Sequence, residues 1–527
     1  MKITTRNLLM LSALMVIVVF LLQGNVGLNL PDEGFLWYGT MRTALHEVPV
    51  RDFQSYEPGR YYWGALWFKL LGDDGILALR VSQAAFQFIG LSLALLLLRR
   101  LISSWVGLIF AAAILLRWMV PGWKIYEPVI VIAAIYFAVL ILEQPSRLRY
   151  LLAGVFTGLA AFFGRNHGMY CGVAFLLLTV FLNWKLKRVL LERLVILSLG
   201  VVIGYAPMLL MFAFVPGFFS QVKQDILFNL HNGTNLPLPV PWPWRQTYTS
   251  VGAREAINRL VVGLLYLAFP IFYLCALARI FFKRAVPPVF FASVLIGVMY
   301  LHYTFARPQL FYLAWTIPPF ILGLLAVPAL FSKQSKAITI AVWSILALFT
   351  LGALELSSDN LFTAKLKAFT KATLMRRYGG DFEQAMNAQG LVKAQLTNDH
   401  VWIAKDTATL IDSVKAMQQN LIQRRDSLLV APYYPGLYSV LAKRSPLWEI
   451  YFLLPRPLDE QERMVRELES KGVGWALVCH HYVDDRPELA FENTHSLLWL
   501  YLSTKFEPVQ TEETKNLEHD CELLRRK

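Results

Sequence analysis

The chain has 527 residues, 56% of them hydrophobic and 16% charged, with a mean hydropathy of +0.47 and a formal net charge of +14. A soluble protein carries roughly a quarter charged residues, so the composition excludes a soluble enzyme and specifies an integral membrane protein. The excess positive charge lies in short loops between apolar runs, as topology signals do, and this argues against nucleic acid as a partner.

In chain order, Lys2 and Arg6 precede an apolar run at 8–27. The run is long for a signal-peptide core and no small-x-small cleavage site follows, so a retained first span is expected. Runs of about 20 apolar residues place further spans near 76–98, 103–120, 128–142, 150–164, 168–183, 194–215, 260–281, 287–305, 309–331 and 337–355, a total of 11. Arg99 and Arg100, Arg147 and Arg149, Lys185, Lys187, Arg188 and Arg193, Arg279, Lys283 and Arg284, and Lys333 and Lys336 fall in alternate loops. They share a side with Lys2 and Arg6, which the positive-inside rule makes cytoplasmic. The N-terminus is then cytoplasmic, and an odd number of spans puts the segment beyond 356 outside.

The opposite face collects the chemistry. It holds the long first loop 28–75, short turns near 121–127, 165–168 and 306–309, and a Pro/Trp-rich loop at 216–258 with Asp225 and His231 near its start. Two adjacent carboxylates, Asp32 and Glu33, stand in Leu30-Pro31-Asp32-Glu33-Gly34-Phe35-Leu36-Trp37-Tyr38. Pro31-Asp32 also suits the cap of a helix starting near Phe35, so spacing alone leaves capping and catalysis both open. Asp52 and Glu57 add carboxylates in Arg51-Asp52-Phe53-Gln54-Ser55-Tyr56-Glu57-Pro58-Gly59. The next stretch, 60–69, is aromatic and bounded by charge, as in a helix lying in the membrane interface. There Tyr61 and Tyr62 read either as part of an aromatic belt or as rings that stack on a sugar.

Five basic residues break the charge rule: Arg80, Arg117, Lys124, Arg165 and Arg307. Charges at membrane depth cost several kcal/mol unless paired or set in a wet cavity. Each can also snorkel to the headgroups. Taken with the carboxylate pair, they indicate an anionic ligand such as a lipid-linked phosphate, which the arginine fork recognises.

From 356 the composition becomes that of a soluble α/β domain. The runs 427–431 (SLLVA) and 475–479 (WALVC) read as buried strands, with an amphipathic helix at 459–471 between them and a helical stretch at 360–425 before them. It contains no GxGxxG and no P-loop. Cys171 and Cys275 lie in apolar spans, there is no CxxC, and Cys479 can bridge Cys521 only if the tail is extracytoplasmic. The expected division is a transmembrane module at 1–355 and an extracytoplasmic domain at 356–527.

One span, an acidic pair in a long outer loop, Val48-Pro49-Val50-Arg51-Asp52-Phe53, and Tyr56-Glu57-Pro58-Gly59-Arg60-Tyr61-Tyr62 together resemble the GT-C glycosyltransferases. That group includes the protein O-mannosyltransferases and the lipid A aminoarabinose transferases. Arg307-Pro308-Gln309 ahead of Pro318-Pro319 is similar to a late segment of these enzymes, and Val430-Ala431-Pro432-Tyr433-Tyr434-Pro435-Gly436-Leu437-Tyr438 to the opening of their outer domains. Glu57-Pro58-Gly59 departs from the two prolines, or His-Pro-Pro, of many relatives. The likeness in architecture spans most of the chain, and the matching motifs about a tenth of it.

The spans specify a polytopic α-helical membrane protein, and its compactness and short loops suggest a bacterial inner membrane; the resemblance implies that it takes a sugar from a polyprenyl-phosphate carrier at the outer face. The acceptor is a glycan, a lipid or a protein. Asp32 would be the general base of an inverting transfer, with Glu33 and Asp52 positioning the acceptor. Should a divalent metal (Mg or Mn) take part, Asp32 and Glu33 are its candidate ligands. Arg117, Arg165, Arg307, His167 and His302 would hold the donor phosphate, and Glu57, Tyr61 and Tyr62 the acceptor or sugar. Rival readings are a transporter or flippase of lipid-linked sugars, a polymerase or ligase of lipid-linked glycans, and a purely structural membrane protein. The flippase accounts poorly for the carboxylate-rich first loop and the soluble tail, and its usual internal repeats are not evident. The polymerase places its decisive loop late, where this chain has 216–258.

Overall fold

A computed structural model describes residues 3–120, 124–233, 236–282, 285–331, 336–357, 360–375, 381–423, 425–480, 482–515, 517 and 521–527. Lys2, Lys283, Arg284 and Lys333 of the loop-charge pattern, and the first three residues of the 121–127 turn, lie outside the described residues. The chain forms two compact units. The first comprises Met1–Leu21, Gln83–Val215 and Asn235–Asn360, and the second Leu22–Ser82, Pro216–Thr234 and Leu361–Lys527.

In chain order the helices begin with α1 (Thr5–Gln23), α2 (Asp32–Ala44), α3 (Pro58–Leu71), α4 (Ile76–Leu98), α5 (Trp105–Met119), α6 (Tyr126–Glu143), α7 (Arg147–Phe163) and α8 (Arg165–Asn183). They continue with α9 (Lys187–Phe214), α10 (Phe218–Asn232), α11 (Ala253–Phe281), α12 (Pro288–Ala306), α13 (Leu310–Thr316), α14 (Pro318–Ala326) and α15 (Lys336–Thr350). All the apolar segments predicted from sequence are helical. Among the described residues, 8 helices are long and apolar enough to cross a membrane, or 9 if the pair Leu310–Thr316 and Pro318–Leu330, bent by 52°, is one broken span. The break falls at Pro318-Pro319, where two backbone donors are missing and the rings crowd the preceding turn. The two remaining apolar helices, α5 and α7, have 15 and 17 residues. The protein is polytopic and α-helical in its membrane part.

Within the first unit, α7 and α9 approach along glycines. A Cβ on Gly154 would stand 2.2 Å from the Leu197 carbonyl oxygen, one on Gly158 2.3 Å from that of Val201, and one on Gly204 2.0 Å from that of Val155. Lipid supplies no hydrophobic drive between spans, so such close backbone contact is a main source of their cohesion. Past α15 the backbone widens into a π-turn at Leu351–Glu355. Asn258 of α11 donates from Nδ2 to the Gly352 and Ala353 carbonyls, each at 2.9 Å, so acceptors loosened by the irregular turn stay satisfied.

The second unit contains α16 (Ala364–Met375), α17 (Phe382–Asn387), β1 (Leu391–Leu396), β2 (Asp399–Ala404), α18 (Lys405–Asn420), β3 (Leu428–Ala431), α19 (Gly436–Val440) and α20 (Leu458–Ser470). It ends with β4 (Trp475–Cys479), α21 (Phe491–Thr494), α22 (Ser496–Lys505), β5 (Phe506–Pro508) and β6 (Cys521–Arg526). The helical stretch expected at 360–425 is interrupted, because β1 and β2 form an antiparallel hairpin inside it. The backbone at 25–27 extends this hairpin: Trp402 N–H donates to the Asn25 carbonyl at 2.8 Å, and Gly27 N–H to that of Trp402 at 2.7 Å.

β3 and β4 pair in parallel, linked through α19 and α20, as the two expected strands and the helix between them require. β6 then runs antiparallel to both β4 and β5, giving the order β3-β4-β6-β5. Leu429, Ala431, Phe452, Leu468, Val478, Phe491 and Leu498 form the core between this sheet and α20–α22. Cys479 stands directly opposite Cys521 in the β4–β6 register, and the two are joined in a disulfide.

Candidate active site

The first loop and the tail build one site wall inside the second unit. Tyr38 Oη accepts the Ser445 amide at 3.0 Å, Trp448 Nε1 donates to the Val50 carbonyl at 2.8 Å, and Gln54 Oε1 accepts the amides of Ile450 and Tyr451 at 3.1 and 2.9 Å. Gly34 meets Gly436 so closely that a Cβ on Gly34 would lie 2.6 Å from the Gly436 Cα.

The helix starts earlier than Phe35, so Asp32 and Glu33 occupy the first turn of α2, where backbone N–H groups favour anions. Asn29 provides the cap, its Oδ1 accepting the Asp32 amide at 2.6 Å. The two carboxylates have different surroundings. Glu33 is buried, and Arg80 spans it with Nε–Oε1 and Nη2–Oε2 contacts of 2.7 Å each. Arg80 also donates to the Gly24 and Gly27 carbonyls at 3.0 and 2.7 Å, so one guanidinium fixes the chain on both sides of residue 30. Asp32 is half-buried, and the Tyr451 hydroxyl donates to its Oδ1 at 3.5 Å, the outer limit of a hydrogen bond. Phe35, Tyr56, Tyr433 and Tyr451 follow as a chain of ring contacts with centroids 5.0–5.7 Å apart.

The remaining first-loop candidates separate in the same way. Asp52 closes a tight turn, its Oδ2 accepting the Val48 amide at 2.7 Å while Arg51 grips both oxygens at 2.8 Å. Partial burial opposes its charge, yet the Arg51 fork, the Val48 amide and Arg444 together hold its carboxyl below the usual range. Glu57 is the residue before α3, and Pro58 opens that helix. Tyr61 is fully buried, its hydroxyl accepting the Tyr56 amide at 3.0 Å and its ring set edge-on to Phe53, whereas Tyr62 is exposed.

The donor-phosphate candidates lie in the first unit. Arg117, near the end of α5, contacts Glu355 Oε1 at 2.5 Å and donates to Asn360 Oδ1 at 3.1 Å, while Asn360 Nδ2 donates to Glu355 Oε2 at 2.7 Å. Arg165 opens α8, and Arg307 directly follows α12. Arg307 donates to the Leu236 carbonyl at 3.0 Å and to Gln309 Oε1 at 3.3 Å. Two His–Tyr pairs join α8 to α12: His167 Nδ1 with Tyr300 Oη at 2.9 Å, and His302 Nδ1 with Tyr170 Oη at 3.1 Å. Arg165, His167, His302 and Arg307 thus gather at one end of the α8–α12 pair, with His167 buried and His302 exposed.

Sequence reasoning did not connect Arg80 to Glu33, Glu355 and Asn360 to Arg117, or Tyr451 to Asp32. Arg80 alone carried a signal, as a cation at membrane depth that requires a counter-charge. The Asp32–Glu33 pair is a poor match to a divalent ion, because Arg80 spans both Glu33 oxygens. Among the described residues no group of three or more His, Cys, Asp or Glu side chains is placed to hold a metal.

Compared with solved structures, the chain aligns along nearly its whole length with ArnT from Cupriavidus metallidurans bound to undecaprenyl phosphate. The match has a TM-score of 0.52 and 15% identity over 98% of this chain and 97% of that one. The fold is that of ArnT. The apo form of the same protein matches at a TM-score of 0.50 over the same shares of the two chains. The oligosaccharyltransferase of Archaeoglobus fulgidus, at 0.46 and 11% identity over 90% of this chain and 69% of that one, is too loose a likeness to support more. No protein-family model matches the chain, and no curated protein matches its sequence. The ArnT fold therefore rests on architecture, at an identity where residue roles do not transfer.

Proposed function

We propose that the protein is a membrane glycosyltransferase that moves a sugar from a polyprenyl-phosphate carrier to an acceptor hydroxyl, with Asp32 as general base. The observation that carries this reading is the setting of Asp32. It is half-buried at the head of α2, beside an aromatic chain that can stack on sugar, and held there by Asn29 and by the Glu33–Arg80 bridge. Its supporting context is a fold shared over 98% of the chain with a protein crystallised on undecaprenyl phosphate.

In the proposed step the acceptor hydroxyl gives its proton to Asp32 as its oxygen bonds to the anomeric carbon. The bond from that carbon to the carrier phosphate breaks, the lipid phosphate leaves with the electron pair, and the configuration inverts. Glu33 serves this step as a positioning residue, since its charge is spent on Arg80. Arg165, Arg307, His167 and His302 would stabilise the departing phosphate, the electrostatic part of catalysis. Arg117 would contribute with its charge tempered by Glu355. Asp52 and Glu57 would shape the first loop on the acceptor side, with Tyr62 rather than the buried Tyr61 presenting a ring to the sugar. The chemistry would take place outside the cytoplasm of a bacterial inner membrane, and the Cys479–Cys521 disulfide supports an oxidising compartment for the tail.

The test is transfer from radiolabelled polyprenyl-phosphate sugars in reconstituted membranes, by wild type and Asp32→Asn. Transfer by wild type alone is expected. Equal transfer by both would remove Asp32 from the chemistry. Lipid-linked sugar crossing the bilayer untransferred, unaffected by the substitution, would assign the protein to the flippases.

A further inference from the structure

The Pro/Trp-rich segment of the first unit has no part in the proposed step, yet the fold holds it firmly. Leu236-Pro237-Leu238-Pro239-Val240-Pro241-Trp242-Pro243-Trp244 carries a proline at every second position, and each proline fixes its own φ and restricts the residue before it. α11 packs on this backbone at Gly263, where a Cβ would stand 2.7 Å from the Pro241 carbonyl oxygen and 3.1 Å from the Pro243 nitrogen. Tyr248 Oη donates to the Pro243 carbonyl at 2.6 Å, and Arg259 Nη1 to that of Thr247 at 3.1 Å. At the other end of the segment, Arg307 Nη1 donates to the Leu236 carbonyl.

On this frame two indoles stack. Trp242 and Trp244 lie 6° from parallel with ring centroids 5.6 Å apart. Trp242 also meets Phe305 of α12 at 6.1 Å, and Phe305 meets Tyr266 of α11 at 5.7 Å. Exposure rises along this series, from buried Tyr266 through half-buried Phe305 and Trp242 to Trp244, which is 69% exposed. The pair is stacked face to face, so it offers a flat indole surface, on which the C–H face of a sugar ring packs. Hydrogen-bonding side chains follow at once: Arg245 and Thr247 are exposed and Gln246 is half-buried. An acyl chain lying here would take water from them and return no hydrogen bond, whereas sugar hydroxyls replace it. A ring immobilised before its ligand arrives also loses little entropy on binding. The series is built on Phe305, two residues before Arg307 of the proposed donor-phosphate group. A sugar esterified to a phosphate at Arg307 therefore emerges beside the segment that Arg307 holds.

We infer that Trp244, backed by Trp242, is the platform on which the sugar of the lipid-linked donor stacks, with Arg245 and Gln246 as its hydrogen-bonding neighbours. This deepens the proposed transferase reading and rests on it.

The test is binding to the full chain in phosphatidylcholine nanodiscs, by wild type, Trp244→Ala and Trp244→Phe. The probes are undecaprenyl phosphate and its glucosyl, mannosyl and arabinosyl derivatives. At least one derivative is expected to bind wild type about tenfold tighter than the bare phosphate, the worth of one stacked ring. Trp244→Ala should remove that margin and leave binding of undecaprenyl phosphate unchanged, while Trp244→Phe should keep part of it. No margin in wild type for any derivative would overturn the platform, as would a margin that survives Trp244→Ala or an equal loss of sugar-bearing and bare carrier. A wild type that binds none of the four probes would instead overturn the transferase reading, and the platform with it. Brominated phosphatidylcholine gives a second readout, the quenching of the fluorescence that Trp244→Phe removes. Little quenching is expected. Strong quenching that the sugar-bearing carrier does not relieve would assign Trp244 to the membrane boundary and overturn the platform.

Discussion

Arg80→Ala is expected to destabilise the second unit severely while touching no substrate. The guanidinium makes two 2.7 Å contacts with Glu33 and holds the Gly24 and Gly27 carbonyls, and the side chains of Arg80 and Glu33 are only 11% and 7% exposed. Removing one partner of a buried ion pair leaves the other charged in low dielectric, at a cost of about 3–5 kcal/mol. At ~2–4 °C per kcal/mol for a domain of 150–250 residues, the melting temperature should fall by about 6–20 °C. The assay is thermal unfolding in detergent, followed by protease sensitivity of the second unit and by static light scattering. Glu33→Leu/Arg80→Met should recover most of the loss, because replacing both charges by apolar groups of similar volume is nearly neutral. Sugar transfer should stay low in that double variant, since the Gly24 and Gly27 carbonyls lose their donor and the head of α2 loosens around Asp32. Arg80→Ala melting within ~2 °C of wild type, on the same scale, would refute the buried-pair argument. So would a double variant no more stable than the single.

Gly204→Ala should lower the melting temperature and yield, since its Cβ would stand 2.0 Å from the Val155 carbonyl oxygen, whereas Gly172→Ala, with its nearest neighbour at 3.8 Å, should be neutral. Overpacking of this kind costs about 1–3 kcal/mol, and equal melting of the two variants would refute the tight α7–α9 contact. Glu449 is buried, which raises the cost of its charge, but Arg456 at 2.7 Å and His495 hold its carboxyl below the usual glutamate range. A depressed folded-state value means that its contribution is complete above the unfolded-state value near ~4.3 and is lost as pH falls through the folded one. Melting should therefore drop from pH 5 to 3 more steeply in wild type than in Glu449→Gln, and parallel curves would refute the coupling. Cys479→Ser/Cys521→Ser opens a loop closed over a sequence separation of 42. The chain-entropy relation puts the loss at about 4 kcal/mol, to be read as a lower midpoint of tail unfolding; an unchanged midpoint under non-reducing conditions would refute it.

Much of this architecture could be read along the chain. Apolar runs located α1, α4–α9 and α11–α15 because a membrane imposes one length and one composition on each span, whereas α10 lies inside the Pro/Trp-rich stretch 216–258 that read as a loop. The βαβ unit of the tail was legible because 427–431 and 475–479 are continuous apolar runs around an amphipathic helix. The β1–β2 hairpin was not recognised, although Val392, Ala394 and Leu396 alternate with polar residues up to Thr397-Asn398-Asp399; its helix-forming Lys, Ala and Gln masked a period of two. The α7–α9 contact had a signal of its own, Gly154-x-x-x-Gly158 and Gly200-x-x-x-Gly204 within apolar runs. For the candidate site, the position of Asp32 and Glu33 after the first span was legible, but their division of labour was not. That division depends on Arg80, Asn29 and Tyr451 being brought together by the fold, and no local pattern announces it.

The joining of the first loop to the tail has a consequence for biogenesis. The partners of the first loop, Gly436, Ser445, Trp448 and Tyr451, follow it by about 400 residues, with separations of 398 for Trp448–Val50, 407 for Ser445–Tyr38 and 419 for Tyr451–Asp32. At 5–20 residues per second, translation leaves the loop incomplete for roughly 20–80 s. During that interval Phe35, Trp37, Tyr38 and Phe53, buried in the finished protein, have nothing from the tail to cover them. A nascent chain stalled before 436 should therefore expose 28–75 to a protease that the completed chain resists. The tail would then act in cis as the folding partner of the first loop, and truncation at the domain boundary would yield a membrane module with an unfinished site.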